Sequence, residues 1–227
     1  MASIAPPNVM AGVPQHILQL LDRLHAESSA QESALRREDF RPDEVAAAMR
    51  DKFIALDQDK AQFVYAFCRA VGARTVVEAG TSFGVSTIYL ALAAAANAGP
   101  GRGPARVIAT EHEPTKAARA REYWRECGEA VSGVIDLREG DILETLKEDI
   151  ADVDLLLLDI WTPLALPTLK LVQPKLRRGA VVIADNTIMA AEGYKDLLDH
   201  LRGDGSPFIT MTLPYSNGLE MSIYLPQ

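Results

Sequence analysis

The chain is poor in cysteine, in aromatic residues, in positive charge and in long apolar runs. Its only cysteines, Cys68 and Cys127, stand among 227 residues. Both fall in helical patterns with no partner at metal-ligand spacing, so they read as free intracellular thiols and not as a disulfide framework. No apolar stretch approaches the ~18 residues that a bilayer-spanning helix needs. Residues 1–13 lack a charged segment followed by an apolar core, which argues against a secretory signal. Arg23 is the only Lys or Arg before Arg36. A cytoplasmic location is expected, with an organelle matrix such as the mitochondrial one left open. The 23 Lys and Arg against 31 Asp and Glu leave a net charge of −8, the wrong sign for grasping a nucleic acid backbone. The one basic cluster (Arg119, Arg121, Arg125) is interleaved with Glu122 and Glu126 and reads as a solvated helix face.

What is present is an ordinary globular composition, 48% apolar and 24% charged, in a length that suits one domain. Residues 14–27 have apolar side chains at helical spacing behind Pro14. Residues 28–42 are polar and read as a linker or exposed arm, so 1–42 is taken as an N-terminal helical extension and 43–227 as the main domain. Helices are expected at about 43–55 and 58–71. From Arg74 onward short β-branched runs alternate with helical patterns: strands at 75–79, 106–110, 134–138, 153–158 and 180–184, with helices between them. Such alternation means right-handed crossovers and a parallel sheet. Only a tight Asn217-Gly218 turn separates the last two strands, so the final strand must run antiparallel to its neighbour. An apolar N-terminal helix that needs a covering surface makes a homodimer the expected assembly.

Polar residues stand where the apolar strands end: Asp159 after 153–158, Asp185 and Asn186 after 180–184, and Glu220 in Asn217-Gly-Leu-Glu. Carboxyl ends of parallel strands are where open α/β sheets bind ligands. Carboxylates gathered there repel one another unless a cation lies between them, and hard oxygen donors suit Mg²⁺, Mn²⁺ or Ca²⁺. Between strand one and its helix lies Glu78-Ala-Gly-Thr-Ser-Phe-Gly-Val-Ser. Gly80 and Gly84 permit a tight turn and close ligand approach, but the spacing is not Gly-x-Gly-x-x-Gly, which disfavours a nicotinamide dinucleotide. Glu111 ends strand two, where an acid would hold ribose hydroxyls. Glu78 adds a carboxylate suited to an ammonium group. A ribose, an amino-acid tail and no phosphate describe S-adenosylmethionine.

These segments, with Thr110-Glu-His-Glu-Pro, Glu139-Gly-Asp, Leu158-Asp-Ile-Trp and Ala184-Asp-Asn, resemble the cation-dependent, small-molecule O-methyltransferases of class I, typified by catechol O-methyltransferase. The likeness covers residues 55–227. It implies a doubly wound, seven-stranded, mostly parallel sheet with an antiparallel last strand. It implies that Glu78, Gly80, Thr81, Ser82 and Ser86 line the methionine and ribose, and that Glu111 holds the ribose hydroxyls. His112, Gly140, Asp141 and Trp161 would lie near the adenine. Asp159, Asp185 and Asn186 would hold the metal, and Glu220 the second hydroxyl of an aromatic vicinal diol of catechol or flavonoid type. The family carries a basic lysine directly after the tryptophan, and here that residue is Thr162, too weak a base for the role. Lys60, ahead of strand one, is the candidate substitute amine. Two other readings remain in play, an O-methyltransferase of acyl-coenzyme A esters and a non-catalytic member that binds the cofactor. Neither nucleic acid nor membrane is expected as a partner.

Overall fold

The computed structural model describes residues 8–34 and 52–227. Its centre is a seven-stranded sheet in the order β3-β2-β1-β4-β5-β7-β6. Strands β1 (Thr75–Ala79), β2 (Arg106–Glu111), β3 (Ile135–Glu139), β4 (Val153–Leu158) and β5 (Leu176–Asp185) run parallel. β7 (Leu219–Tyr224) is antiparallel to both β5 and the edge strand β6 (Phe208–Leu213). The expected hairpin turn forms with positive φ at Asn217 (60°) and Gly218 (84°), residue types that tolerate that region at least cost.

Helices cover both faces, which is why the central strands are apolar without alternation: all six residues of β4 are buried. On one face lie α1 (Gln15–Ser33), α2 (Gln58–Val71), α3 (Val85–Asn97), α4 (Pro114–Cys127) and the short α5 (Glu129–Ser132). They pack over Val76, Leu155, Leu157, Val181 and Ile183. On the other lie α6 (Ile142–Thr145), α7 (Thr162–Val172) and α8 (Lys195–Arg202), over Val77, Leu156, Leu158, Val182 and Ala184. Among the described residues no helix is long and apolar enough to cross a membrane.

Two expectations at the N-terminus change. The polar stretch from Ser28 is not an arm as far as Ser33, because α1 continues through it. Its side chains are used internally: Ser28 Oγ accepts the Ala55 N–H (2.9 Å) and Gln31 Oε1 accepts the Phe53 N–H (3.0 Å). The remainder of that stretch and most of the helix expected at 43–55 lie outside the described residues, and residues 52–57 are not helical. The apolar stripe of α1 (Ile17, Leu20, Leu21, Leu24) is buried within its own chain. That stripe therefore needs no second copy to cover it.

Candidate active site

The glycine loop is built around Glu78, which is fully buried. Its carboxylate accepts the hydroxyls of Thr81 (2.8 Å), Ser86 (2.6 Å) and Thr87 (2.5 Å). Burial raises its carboxyl above the usual range, against the pull of those three hydroxyls. Glu78 thus organises the loop from beneath, and Thr87, which by sequence suits a helix start, is one of its three donors. Gly80 sits at φ 93°, and a Cβ there would lie 2.0 Å from the Asp159 carbonyl oxygen. Gly84, at φ 77°, lies against Trp124, whose indole N–H donates to the Gly84 carbonyl (3.0 Å). Trp124, buried in α4, is thus the loop's rear support.

Glu111 closes the front of the loop. One carboxylate oxygen accepts the Ser82 N–H (2.7 Å) and the other the Glu113 N–H (2.8 Å). Ser82 is in the left-handed region at φ 51°. Gly140 donates its N–H to the Glu111 carbonyl (3.0 Å), Asp141 caps α6 through the Leu143 N–H (2.9 Å), and His112 is exposed. The loop residues, Glu111 and Gly140 therefore meet at the ends of β1, β2 and β3. The strand order reverses beside β1 (β2 on one side, β4 on the other), the position where open sheets leave a crevice.

The acids of β4 and β5 stand on the far side of that crevice. Asp159, half-buried, donates its N–H to the Ala79 carbonyl (3.0 Å). Asp185 is 4% exposed. Burial raises both carboxyls; the neighbouring Asp185 and Glu78 charges push Asp159 further, and Lys60 partly offsets the rise at Asp185. Lys60 is 1% exposed and reaches Asp185 Oδ1 (2.6 Å) and Asp57 Oδ2 (2.9 Å). Burial lowers the affinity of its amine for a proton, but the hydrogen bonds and charges of Asp185 and Asp57 outweigh it, and the ammonium is held above its ordinary pKa. An ammonium so paired has no lone pair to offer, so the expected substitute base is instead a fixed cation. Asn186, at φ 59°, places its amide 3.0 Å from Asp185 Oδ2. Tyr194 is buried alongside, its hydroxyl 3.3 Å from the Ile160 carbonyl, and burial with the charges of Asp159 and Asp185 raises its phenol.

Glu220 does not join this group. Neighbouring strand residues point to opposite faces: Asp185 pairs with Leu219, and Glu220 pairs with Ala184 one step along. Its side chain turns to the α8 side of the sheet, where Arg202 (2.9 and 2.7 Å), Thr210 (2.5 Å) and Thr212 (2.6 Å) occupy both oxygens. Burial works against its charge, but these partners prevail and hold the carboxyl below its usual range. With no oxygen left to offer, Glu220 is a structural node and not an acceptor ligand. Trp161, by contrast, is 52% exposed beside Asp159, and Ile188 and Met189 are 63% and 66% exposed just beyond Asn186. They form an apolar border next to the acids. Thr162 Oγ1 is covered by Gly193, where a Cβ would lie 2.3 Å away.

Known proteins resemble this chain in one segment and in fold. A family model described as a methyltransferase domain matches residues 77–187. A catechol O-methyltransferase of Mycobacterium tuberculosis is 32% identical over 137 residues, which span 60% of this chain and 58% of that protein. The O-methyltransferase of Bacillus cereus, solved in complex with SAH, superposes with a TM-score of 0.66 at 18% identity, over 95% of this chain and 93% of the other. A Staphylococcus aureus structure described as a caffeoyl-CoA O-methyltransferase gives 0.62 at 16% identity, over 93% and 100%. Residues 77–187 thus match a methyltransferase domain, and the fold is the one these O-methyltransferase structures share.

Proposed function

We propose that this chain transfers the methyl group of S-adenosylmethionine to one hydroxyl of an aromatic vicinal diol of catechol or flavonoid type, with a divalent cation at Asp159, Asp185 and Asn186. The observation that carries the reading is the pairing of two features in one crevice. The ribose-side acid Glu111 and the Glu78 loop flank β1, and the acids Asp159 and Asp185 stand at β4 and β5. The 32% identical M. tuberculosis catechol O-methyltransferase supports the same acceptor class.

The donor set suits the cation. Once Asp159 gives up its proton, Asp57, Asp159 and Asp185 against Lys60 leave an excess of two negative charges, the complement of one divalent ion. Among the described residues no three His, Cys, Asp or Glu side chains converge as ligands, so two carboxylates and one amide would be the protein's share. Mg²⁺ commonly keeps its other positions for water and substrate oxygen. Such an ion would lower the pKa of a phenol from about 10 toward neutrality.

The chain's own residues do the remainder. Glu111 and the loop would hold the cofactor on the β1–β3 side of the crevice, and holding both reactants in one crevice would remove much of the entropic barrier. Trp161, Ile188 and Met189 offer an apolar bed for an aromatic ring. The leaving proton passes to a site carboxylate or to water, since Lys60 is held as an ammonium and Thr162 is too weak a base. Methyl transfer measured on a panel of catechols, flavonoids and acyl-coenzyme A esters, with Mg²⁺, Mn²⁺ or chelator, tests the proposal. Turnover of diols that chelator abolishes supports it. Full turnover in chelator would remove the cation from the mechanism. Preference for the thioesters would favour the second reading, for which the S. aureus neighbour is the motive. Cofactor binding without turnover of any acceptor would leave a binding protein.

A further inference from the structure

We propose that Lys60 is a positioning residue for the acid cluster, a built-in counter-cation that limits the site to one divalent ion and holds Asp185 in place without it. The inference rests on the cation reading above and adds a residue and a charge rule that the reading does not contain. Three observations carry it. Lys60 is 1% exposed, although lysine is seldom fully buried unless paired. It is paired twice, with Asp185 Oδ1 at 2.6 Å and Asp57 Oδ2 at 2.9 Å, and so ties the first turn of α2 to the end of β5. Its contact takes one oxygen of Asp185, and the other lies 3.0 Å from the Asn186 amide. Without the ammonium, the Asp57 and Asp185 carboxylates would face each other and Asp159 with no cation from the protein. That arrangement would splay the site when empty and attract a divalent ion more strongly when folded.

The test compares the full-length protein with Lys60→Met and Lys60→Gln, neither of which carries the charge, and with Lys60→Arg, which does. Thermal melting in chelator and across an Mn²⁺ series, with Mn²⁺ affinity read by electron paramagnetic resonance, reports on the site without reference to turnover. In chelator the Met and Gln variants should melt below the parent, and Mn²⁺ should raise their melting temperatures by at least twice the shift seen in the parent. Their Mn²⁺ dissociation constants should fall about ten-fold, and Lys60→Arg should stay near the parent on both measures. Equal Mn²⁺ responses in all four proteins would overturn the role of Lys60 while leaving the cation reading intact. No Mn²⁺ binding by any of them, with SAH still bound, would instead overturn the cation reading, and this proposal with it. Failure of both uncharged variants to fold even in Mn²⁺ would assign Lys60 to folding alone and also overturn the proposal.

Discussion

Gly80 leaves no room for a side chain. A Cβ would meet the Asp159 carbonyl at 2.0 Å, and φ is 93°, a combination of strain and overlap that backbone cannot relieve by a rotamer change. Gly80→Ala is expected to abolish measurable SAH binding in calorimetry and to lower the melting temperature; retained affinity would mean that the loop adjusts without cost. Asp159 makes a prediction in pH. Its carboxyl is pushed up from 3.8 to about 8, so the folded protein binds that proton more tightly than the unfolded chain does. The contribution to stability is complete at low pH and is lost as pH rises toward and through 8. In chelator and without cofactor, the melting temperature should therefore fall between about pH 4 and 8 and level off above, and Asp159→Asn should flatten that fall. An unchanged slope in the variant would show that Asp159 is not the titrating group. These residues were legible in sequence as types at strand ends. The pairing of Lys60 with Asp185 was not, because it joins positions 125 apart in the chain.

The hairpin β6–β7 shows what an element decides. Asn-Gly at the turn made its antiparallel course readable, but the side to which Glu220 turns follows from register, and one step reverses it. Because Ala184 and not Asp185 stands opposite Glu220, the carboxylate meets Arg202, Thr210 and Thr212 on the α8 side. Glu220→Gln removes the charge that these donors face and should cost about 2 kcal/mol, equivalent to a melting temperature lower by about 4–8 °C in a chain of this length. SAH affinity and the KM for a diol acceptor should stay within two-fold of the parent. A ten-fold rise in that KM would return Glu220 to the acceptor site. Helix α1 makes a similar point. Its apolar stripe was plain from spacing, yet whether a second copy or the same chain covers it is a matter of packing, and the stripe lies against α3 and α4 of its own chain.

Over the whole molecule the crevice joins two halves of one sheet, with the glycine loop and Glu111 on the β1–β3 side and the acids on the β4–β5 side. A ligand that bridges them should stabilise the fold as a unit. SAH at a hundred times its dissociation constant adds about 2.7 kcal/mol, which for this length corresponds to a melting temperature higher by roughly 5–10 °C. A shift below 2 °C at that saturation would show that the cofactor engages only a locally loose loop. The sequence alone determined the alternation that makes the sheet parallel, the turn that reverses its last strand, the glycine loop, and the acids at the strand ends. All of these are local patterns, set by periodicity and by residue type within a few positions. Tertiary structure alone decided that Lys60 is a buried ammonium between Asp57 and Asp185, that Trp124 braces Gly84, and that Glu220 faces away from the crevice. Those facts depend on register and on contacts between distant segments, and charge pairing and steric fit across such distances leave no periodic trace in the chain.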